Sequence, residues 1–225
     1  MTAQPDFERA RFNMVEQQIR PWDVIDQQVL DLLFELRRED FVLPQYRNLA
    51  FVDMEIPLRA GAAPDQHMLA PKYEARMLQA LALKPTDRVL EIGTGSGYMT
   101  ALLARSAAHV YSVEIDGALS AEAGRRLAAH GIANVTLEVG DSARGWSRHA
   151  PYDAIVLTGS TPVLDDAFKA ALNVGGRLLA IVGDAPVMTA RLITCESHGA
   201  FRTDGLFETC VAPLRNAPQT ERFVF

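Results

Sequence analysis

Gly93, Gly95 and Gly97 fall in the run Val89-Leu90-Glu91-Ile92-Gly93-Thr94-Gly95-Ser96-Gly97-Tyr98. An apolar stretch that enters closely spaced glycines and leaves as a helix marks a nucleotide-type site. Missing side chains let the backbone approach a ligand, and the N–H groups opening the helix point into the crevice. The spacing is G-x-G-x-G, not the G-x-G-x-x-G that seats a dinucleotide diphosphate. Glu91 stands just before this turn, where a cationic ligand could use it and a diphosphate could not. Thr94 and Ser96 complete the binding turn.

Further acids follow the next apolar runs. Glu114 in Val113-Glu114-Ile115-Asp116 can accept both hydroxyls of a ribose, with Ile115 beside it. Asp141 in Val139-Gly140-Asp141-Ser142 can accept from an adenine amino group, with the Ser142 N–H nearby. Carboxylates placed after successive parallel strands converge on one edge of the sheet. Together they would favour a positively charged adenosyl compound. His67, His109, His130, His149, His198, Cys195 and Cys210 show no metal-ligand spacing, so no metal is expected.

The elements that must position these groups can be read from periodicity. Between Arg88 and Val182 short strands alternate with helices. The strands are Arg88–Ile92, His109–Glu114, Val135–Val139, Asp153–Thr158 and Arg177–Val182; the helices are Tyr98–Arg105, Leu119–His130 and Asp165–Leu172. This predicts an α/β fold with a doubly wound, mostly parallel Rossmann-like sheet. Two further strand-like runs, Ala190–Glu196 and Leu206–Ala212, are joined through His198–Arg202 without a helix and predict an antiparallel C-terminal pair. Ahead of the sheet lies an N-terminal helical arm covering the cofactor side. Its first helix ends before Pro21. Its second is capped by Asp26, striped by Val29, Leu32, Leu33 and Leu36, and closed by Arg37 and Arg38. Phe51 to Gln66 reads as irregular chain or a short edge strand, Asp65–Ala70 as a loop, and Pro71–Leu83 as a helix. Residues 1–70 therefore form the arm and substrate loop, and 71–225 the ligand-binding domain, as one structural unit.

Composition narrows the class. The chain has 225 residues, 48% hydrophobic and 22% charged, with a net charge of −6. Nucleic-acid binding by bulk electrostatics needs clustered Lys and Arg, so no nucleic-acid partner is expected. The N-terminal Met1-Thr2-Ala3-Gln4-Pro5-Asp6-Phe7-Glu8-Arg9 is too charged for a secretory signal, and the apolar runs are far shorter than the ~20 residues that span a bilayer. A cytoplasmic protein with no membrane partner and reduced, buried thiols is expected.

The glycine turn with its three acids resembles the class I S-adenosylmethionine-dependent methyltransferases. The resemblance narrows to the protein-L-isoaspartate O-methyltransferase family through Gly145-Trp146, Ala150-Pro151-Tyr152-Asp153-Ala154-Ile155, Gly175-Gly176-Arg177-Leu178 and Val211-Ala212-Pro213-Leu214. It covers roughly residues 50 to 215. It implies S-adenosyl-L-methionine as co-substrate and methyl transfer to the free carboxylate of L-isoaspartyl residues in damaged proteins or peptides, a repair reaction. Such a carboxylate is already ionised at neutral pH, so no general base is needed and no catalytic triad is visible. Trp146 reads as a packing residue beneath the cofactor loop.

The chain departs from the family on the acceptor side. The family pattern Gln-x-Ile-Ser-x-Pro reads here Gln66-His67-Met68-Leu69-Ala70-Pro71, so Leu69 occupies the serine position. Gln66 and His67 are the remaining catalytic candidates, His67 as a substitute donor or base. Thr158-Gly159-Ser160-Thr161-Pro162 replaces an Ala-rich run. Alternative readings are therefore a methyltransferase with another small-molecule or protein acceptor, or a non-catalytic S-adenosylmethionine-binding module.

Overall fold

The computed structural model describes residues 6–61, 63 and 66–219. Expectations resting on residues 1–5, Pro64 and Asp65 lie outside that set. Asp6 accepts from the Arg9 N–H and opens α1 (Phe7–Met14). The chain continues as a π-turn, Val15–Ile19, and a 3-10 turn, Arg20–Trp22. Pro21 thus sits inside the last turn and not beyond a helix end, because a proline near the start of such a turn has no N–H to leave unpaired. Asp26 caps α2 (Gln27–Glu35) as expected, accepting from the Gln28 N–H at 2.8 Å, and Val29, Leu30 and Leu33 are its buried face. Arg38 does not serve as a surface cation at the end of α2: it is fully buried.

The two-residue strands β1 (Ile56–Pro57) and β2 (His67–Met68) pair antiparallel, so the expected loop through residue 67 carries a short strand. Pro71 occupies the first position of α3 (Pro71–Leu81), which ends at Ala82 in the left-handed region. The sheet then builds from β3 (Arg88–Ile92), β4 (His109–Glu114), β5 (Val135–Val139), β6 (Tyr152–Thr161), β7 (Leu172–Asp184), β8 (Val187–Ser197) and β9 (Ala200–Thr209). Between them lie α4 (Tyr98–Ser106), α5 (Gly117–Ala129) and α6 (Asp166–Ala170). Strand order is β5-β4-β3-β6-β7-β8-β9, parallel through β7 and antiparallel in its last two pairings.

Several boundaries move relative to expectation: β6 runs on to Thr161, β7 starts at Leu172 instead of Arg177, and β8 starts at Val187 instead of Ala190. The helix before β7 stops at Ala170 and Leu172 already pairs with Tyr152. The last hairpin turns within His198–Gly199, where Gly199 has φ +79°, so β9 begins at Ala200 and ends at Thr209. Residues beyond β9 return to the carboxyl end of β6: the Ser160 N–H donates to the Ala212 carbonyl at 3.0 Å, and the Leu214 N–H to the Ser160 carbonyl at 2.8 Å.

Strand periodicity divides the core. Val89 faces a layer with Met14, Leu30, Leu33, Leu78 and Leu103; Leu90 and Ile92 face the opposite layer with Phe168 and Leu178. The arm helices and the sheet therefore share one apolar layer. Cys195 is buried and Cys210 exposed, contrary to the expectation that both are buried; both are free thiols. Among the described residues no helix is long and apolar enough to cross a membrane.

Candidate active site

From β3 the chain crosses to β4 on one side, and β6 later adds on the other. That reversal opens a crevice outside the carboxyl ends of the strands. A cleft of roughly 800 Å³, its open mouth included, occupies this position. Its walls come from the glycine turn (Gly93, Gly95), the end of β4 (Glu114, Ile115), Asp141 and Ser142 after β5, and Thr158 and Gly159 on β6. Glu55, Leu58, Gln66, His67, Leu69 and residues Val211–Arg215 close it. Helices α1 and α2 contribute no lining residue; among the described residues of the arm, those on the cleft are Glu55, Leu58, Gln66, His67 and Leu69.

The turn is shaped by close approach. Gly93 has φ +93°, and a Cβ there would lie 2.4 Å from the Thr158 hydroxyl, which donates to the Ile92 and Gly93 carbonyls at 2.9 and 2.7 Å. Any other residue there would be strained at this φ and would have to displace the Thr158 hydroxyl. Gly97 does not line the cleft; it is the left-handed residue before α4, packed on Ala123. Thr94 and Ser96 line a smaller hollow adjoining the cleft, shared with His67, Leu69, Glu74, Gly93 and Thr158.

Glu114 is 6% exposed and held by two backbone donors, Gly95 N–H on Oε2 at 2.9 Å and Asp116 N–H on Oε1 at 3.1 Å. Each oxygen keeps a second lone pair for a ligand hydroxyl. Asp141 is exposed, steadied by the Ala143 N–H at 3.2 Å and the Asn216 amide at 2.9 Å. Behind it Trp146 donates to Glu138 and packs on Gly140, where a Cβ would meet the indole at 2.6 Å.

Glu91 differs from expectation. It is fully buried beneath the turn and absent from the cleft wall. Its Oε2 accepts from Thr100 at 2.5 Å and from Ser112 at 2.6 Å, and the Ser112 and Thr94 hydroxyls share a hydrogen bond of 2.6 Å. The side chain braces the turn from below instead of facing a cation. Burial pushes its pKa up to about 8, with the Ser112 and Thr100 hydroxyls opposing and Glu114 and Glu74 adding to the rise. The folded protein therefore keeps this proton while the unfolded chain, with an ordinary value of 4.5, releases it. Its stabilising contribution is complete below pH 4.5 and is lost as pH climbs through about 8. Urea midpoints should fall across that window, and Glu91→Gln should flatten the fall by an amount on the order of a few kcal/mol. Parallel pH profiles for the two proteins would refute this assignment.

On the acceptor side, Gln66 is buried; its carbonyl oxygen Oε1 accepts from Arg59 at 3.1 Å, and its backbone carbonyl from the Leu58 N–H. His67 lines both the cleft and the hollow. Burial raises the pKa of neighbouring Glu55, and the charge of His67 opposes the rise. Leu69 is 7% exposed and borders both spaces, putting an apolar side chain where a hydroxyl was expected. Glu55, Leu58 and Val211–Arg215 also line the cleft, although no local motif marks them as site residues. Only the return of residues 211–214 to β6 brings the latter there.

A family profile described as protein-L-isoaspartate(D-aspartate) O-methyltransferase matches residues 9–217, including the arm helices. The protein-L-isoaspartate O-methyltransferase 1 of Rhodopseudomonas palustris (strain HaA2) is 43% identical over 209 residues, covering 92% of this chain and 84% of that one. Among solved structures, a protein-L-isoaspartate O-methyltransferase superposes with a TM-score of 0.75 at 22% identity, over 92% of this chain; the chain spans 65% of that protein's length. A Plasmodium falciparum structure described as a beta-aspartate methyltransferase in complex with S-adenosyl-L-homocysteine has a TM-score of 0.73 at 18% identity, covering 94% of this chain and 99% of that one. These two likenesses bear on the fold.

Proposed function

The chain belongs to the protein-L-isoaspartate(D-aspartate) O-methyltransferase family, and from that premise we propose that it methylates the free carboxylate of L-isoaspartyl residues in damaged proteins, with S-adenosyl-L-methionine as donor. The observation that carries this reading is the cleft at the carboxyl edge of the sheet, where Glu114 is aimed by two backbone N–H groups beside a glycine turn in which a side chain at Gly93 would collide with Thr158. The residues present fit the donor. Gly93 and Gly95 would leave room for its amino-acid moiety, Glu114 would accept from the ribose, Ile115 and Ala143 would bound the adenine, and Asp141 and Ser142 would supply polar contacts at its rim. The donor supplies a methyl group on a positively charged sulfur and leaves as a neutral thioether.

The protein's own task is then geometric. The acceptor carboxylate is anionic at pH 7 and needs no base. Holding it in line with the methyl group can supply up to ~7–11 kcal/mol of the barrier. The acids lining the cleft favour the cationic donor over its neutral product. His67 and Gln66 are the polar side chains proposed to meet the acceptor, since Leu69 cannot donate. Work in the cytoplasm is part of the same proposal.

The test is product identification. An isoaspartyl peptide incubated with enzyme and S-adenosylmethionine should gain the mass of one methylene and then lose methanol to give a succinimide, whereas the matching aspartyl peptide should not react. A second reading, transfer to a different acceptor, is favoured by one observation, the apolar Leu69 at the acceptor wall. Methylation of another component of a cell extract, with the isoaspartyl peptide untouched, would select it.

A further inference from the structure

Arg38 lies outside the cleft, yet its guanidinium ties the wall residue Leu69 to Ala50 in the arm and to Glu74 on α3. It is fully buried. Its Nε donates to the Ala50 carbonyl at 2.8 Å and its Nη2 to the Leu69 carbonyl at 2.6 Å, while Nη1 pairs with Glu74 on α3. The guanidinium also sits 4.9 Å from the centroid of the Tyr98 ring, the first residue of the helix leaving the glycine turn. Glu74 in turn borders the hollow between Leu69, Gly93 and Thr158.

This is an unusual investment of charge. A buried ion pair contributes little net stability, because desolvation of both groups offsets their attraction. Burial raises the pKa of Glu74 to about 7 even though the charge and hydrogen bond of Arg38 oppose the rise. A planar, five-donor guanidinium is suited to holding several acceptors at fixed relative positions, which a lysine ammonium on a flexible stem is not. The acceptors here are the arm, the loop and α3.

Resting on the reading of this cleft as a donor and acceptor site, we propose that Arg38, oriented by Glu74, is the positioning residue of the acceptor side. By gripping the Leu69 carbonyl it sets how far the acceptor wall stands from the donor cradle. Arg38 hydrogen-bonds to none of Glu114, Ile115 and Asp141 and meets the donor side only through the Tyr98 ring, so its grip bears chiefly on the acceptor wall.

The experiment compares wild type with Arg38→Lys and the isosteric Glu74→Gln, well below their melting temperatures. Affinity for S-adenosylhomocysteine is measured by calorimetry, and KM and kcat for an isoaspartyl peptide by methyl transfer. Arg38→Lys should raise the peptide KM about tenfold or more and lower kcat, because displacements of about 1 Å at a reacting centre are costly. Glu74→Gln should shift KM in the same direction by less. The Kd for S-adenosylhomocysteine should stay within about twofold of wild type in both. A purely structural role predicts a lower melting temperature without this split. An unchanged peptide KM, or equal losses of donor and acceptor affinity, in either folded variant would overturn the proposal. Wild-type enzyme inactive on the peptide would instead remove the reading on which it rests.

Discussion

Glu114→Ala should weaken binding of S-adenosylhomocysteine by at least about a hundredfold while the protein stays folded. Hydrogen bonds to a charged group contribute about 1.5–3 kcal/mol each, and every 1.4 kcal/mol is tenfold in affinity. Two ribose hydroxyls on one carboxylate therefore correspond to roughly 10²–10⁴-fold. The carboxylate is preorganised by the Gly95 and Asp116 N–H groups, so little ordering is left for binding to supply. Removing it also leaves the Gly95 N–H, part of the glycine turn, without its partner. Glu114→Gln keeps one good acceptor and should lose about tenfold. Calorimetric titration of the three proteins measures the series. Equal affinities would mean that the ribose lies elsewhere.

Leu69→Ser should raise kcat/KM for an isoaspartyl peptide by about 10- to 100-fold, since one well-placed donor to a developing charge distribution is typically worth ~10²–10³ in rate. The expectation depends on the backbone already being in place. Arg38 holds the Leu69 carbonyl at 2.6 Å, and the side chain borders both the cleft and the hollow, so a hydroxyl introduced there faces the space an acceptor would occupy. The loss of an apolar side chain lowers stability, and rates are therefore compared at a temperature where both proteins are fully folded. A rate unchanged or reduced would mean that His67 or another group has taken over the acceptor carboxylate in an altered geometry.

The sequence made the sheet legible because its signals are local. Arg88–Ile92, His109–Glu114 and Val135–Val139 are short apolar runs bounded by turns, and each forms the strand expected of it. Glu114, Ile115, Asp141 and Ser142 follow β4 and β5 directly, so knowing the strands placed them in one cleft. The burial of Glu91 is not legible in the sequence, which gives its distance along the chain from the glycines but not the side of the turn it takes. It lies within β3 and points to Thr100 and Ser112 in the interior. The burial of Arg38 is hidden for a similar reason: its partners Ala50, Leu69 and Glu74 are 12 to 36 residues away, a distance no periodicity spans. Residues 211–215 enter the cleft only through their pairing with Ser160, again a long-range event. The resemblance read over residues 50 to 215 also stopped short of the arm, whose helices carry few residues of distinctive chemistry, whereas the family match begins at residue 9.

A crystal structure grown with S-adenosyl-L-homocysteine tests the central claim most directly. We expect the ligand in the cleft at the ends of β3 and β4, its ribose hydroxyls within hydrogen-bond distance of Glu114, its amino-acid end along Gly93–Gly95 and its sulfur toward Leu69. A ligand bound at any other surface of the protein, or a cleft that stays empty at saturating concentration, would contradict it.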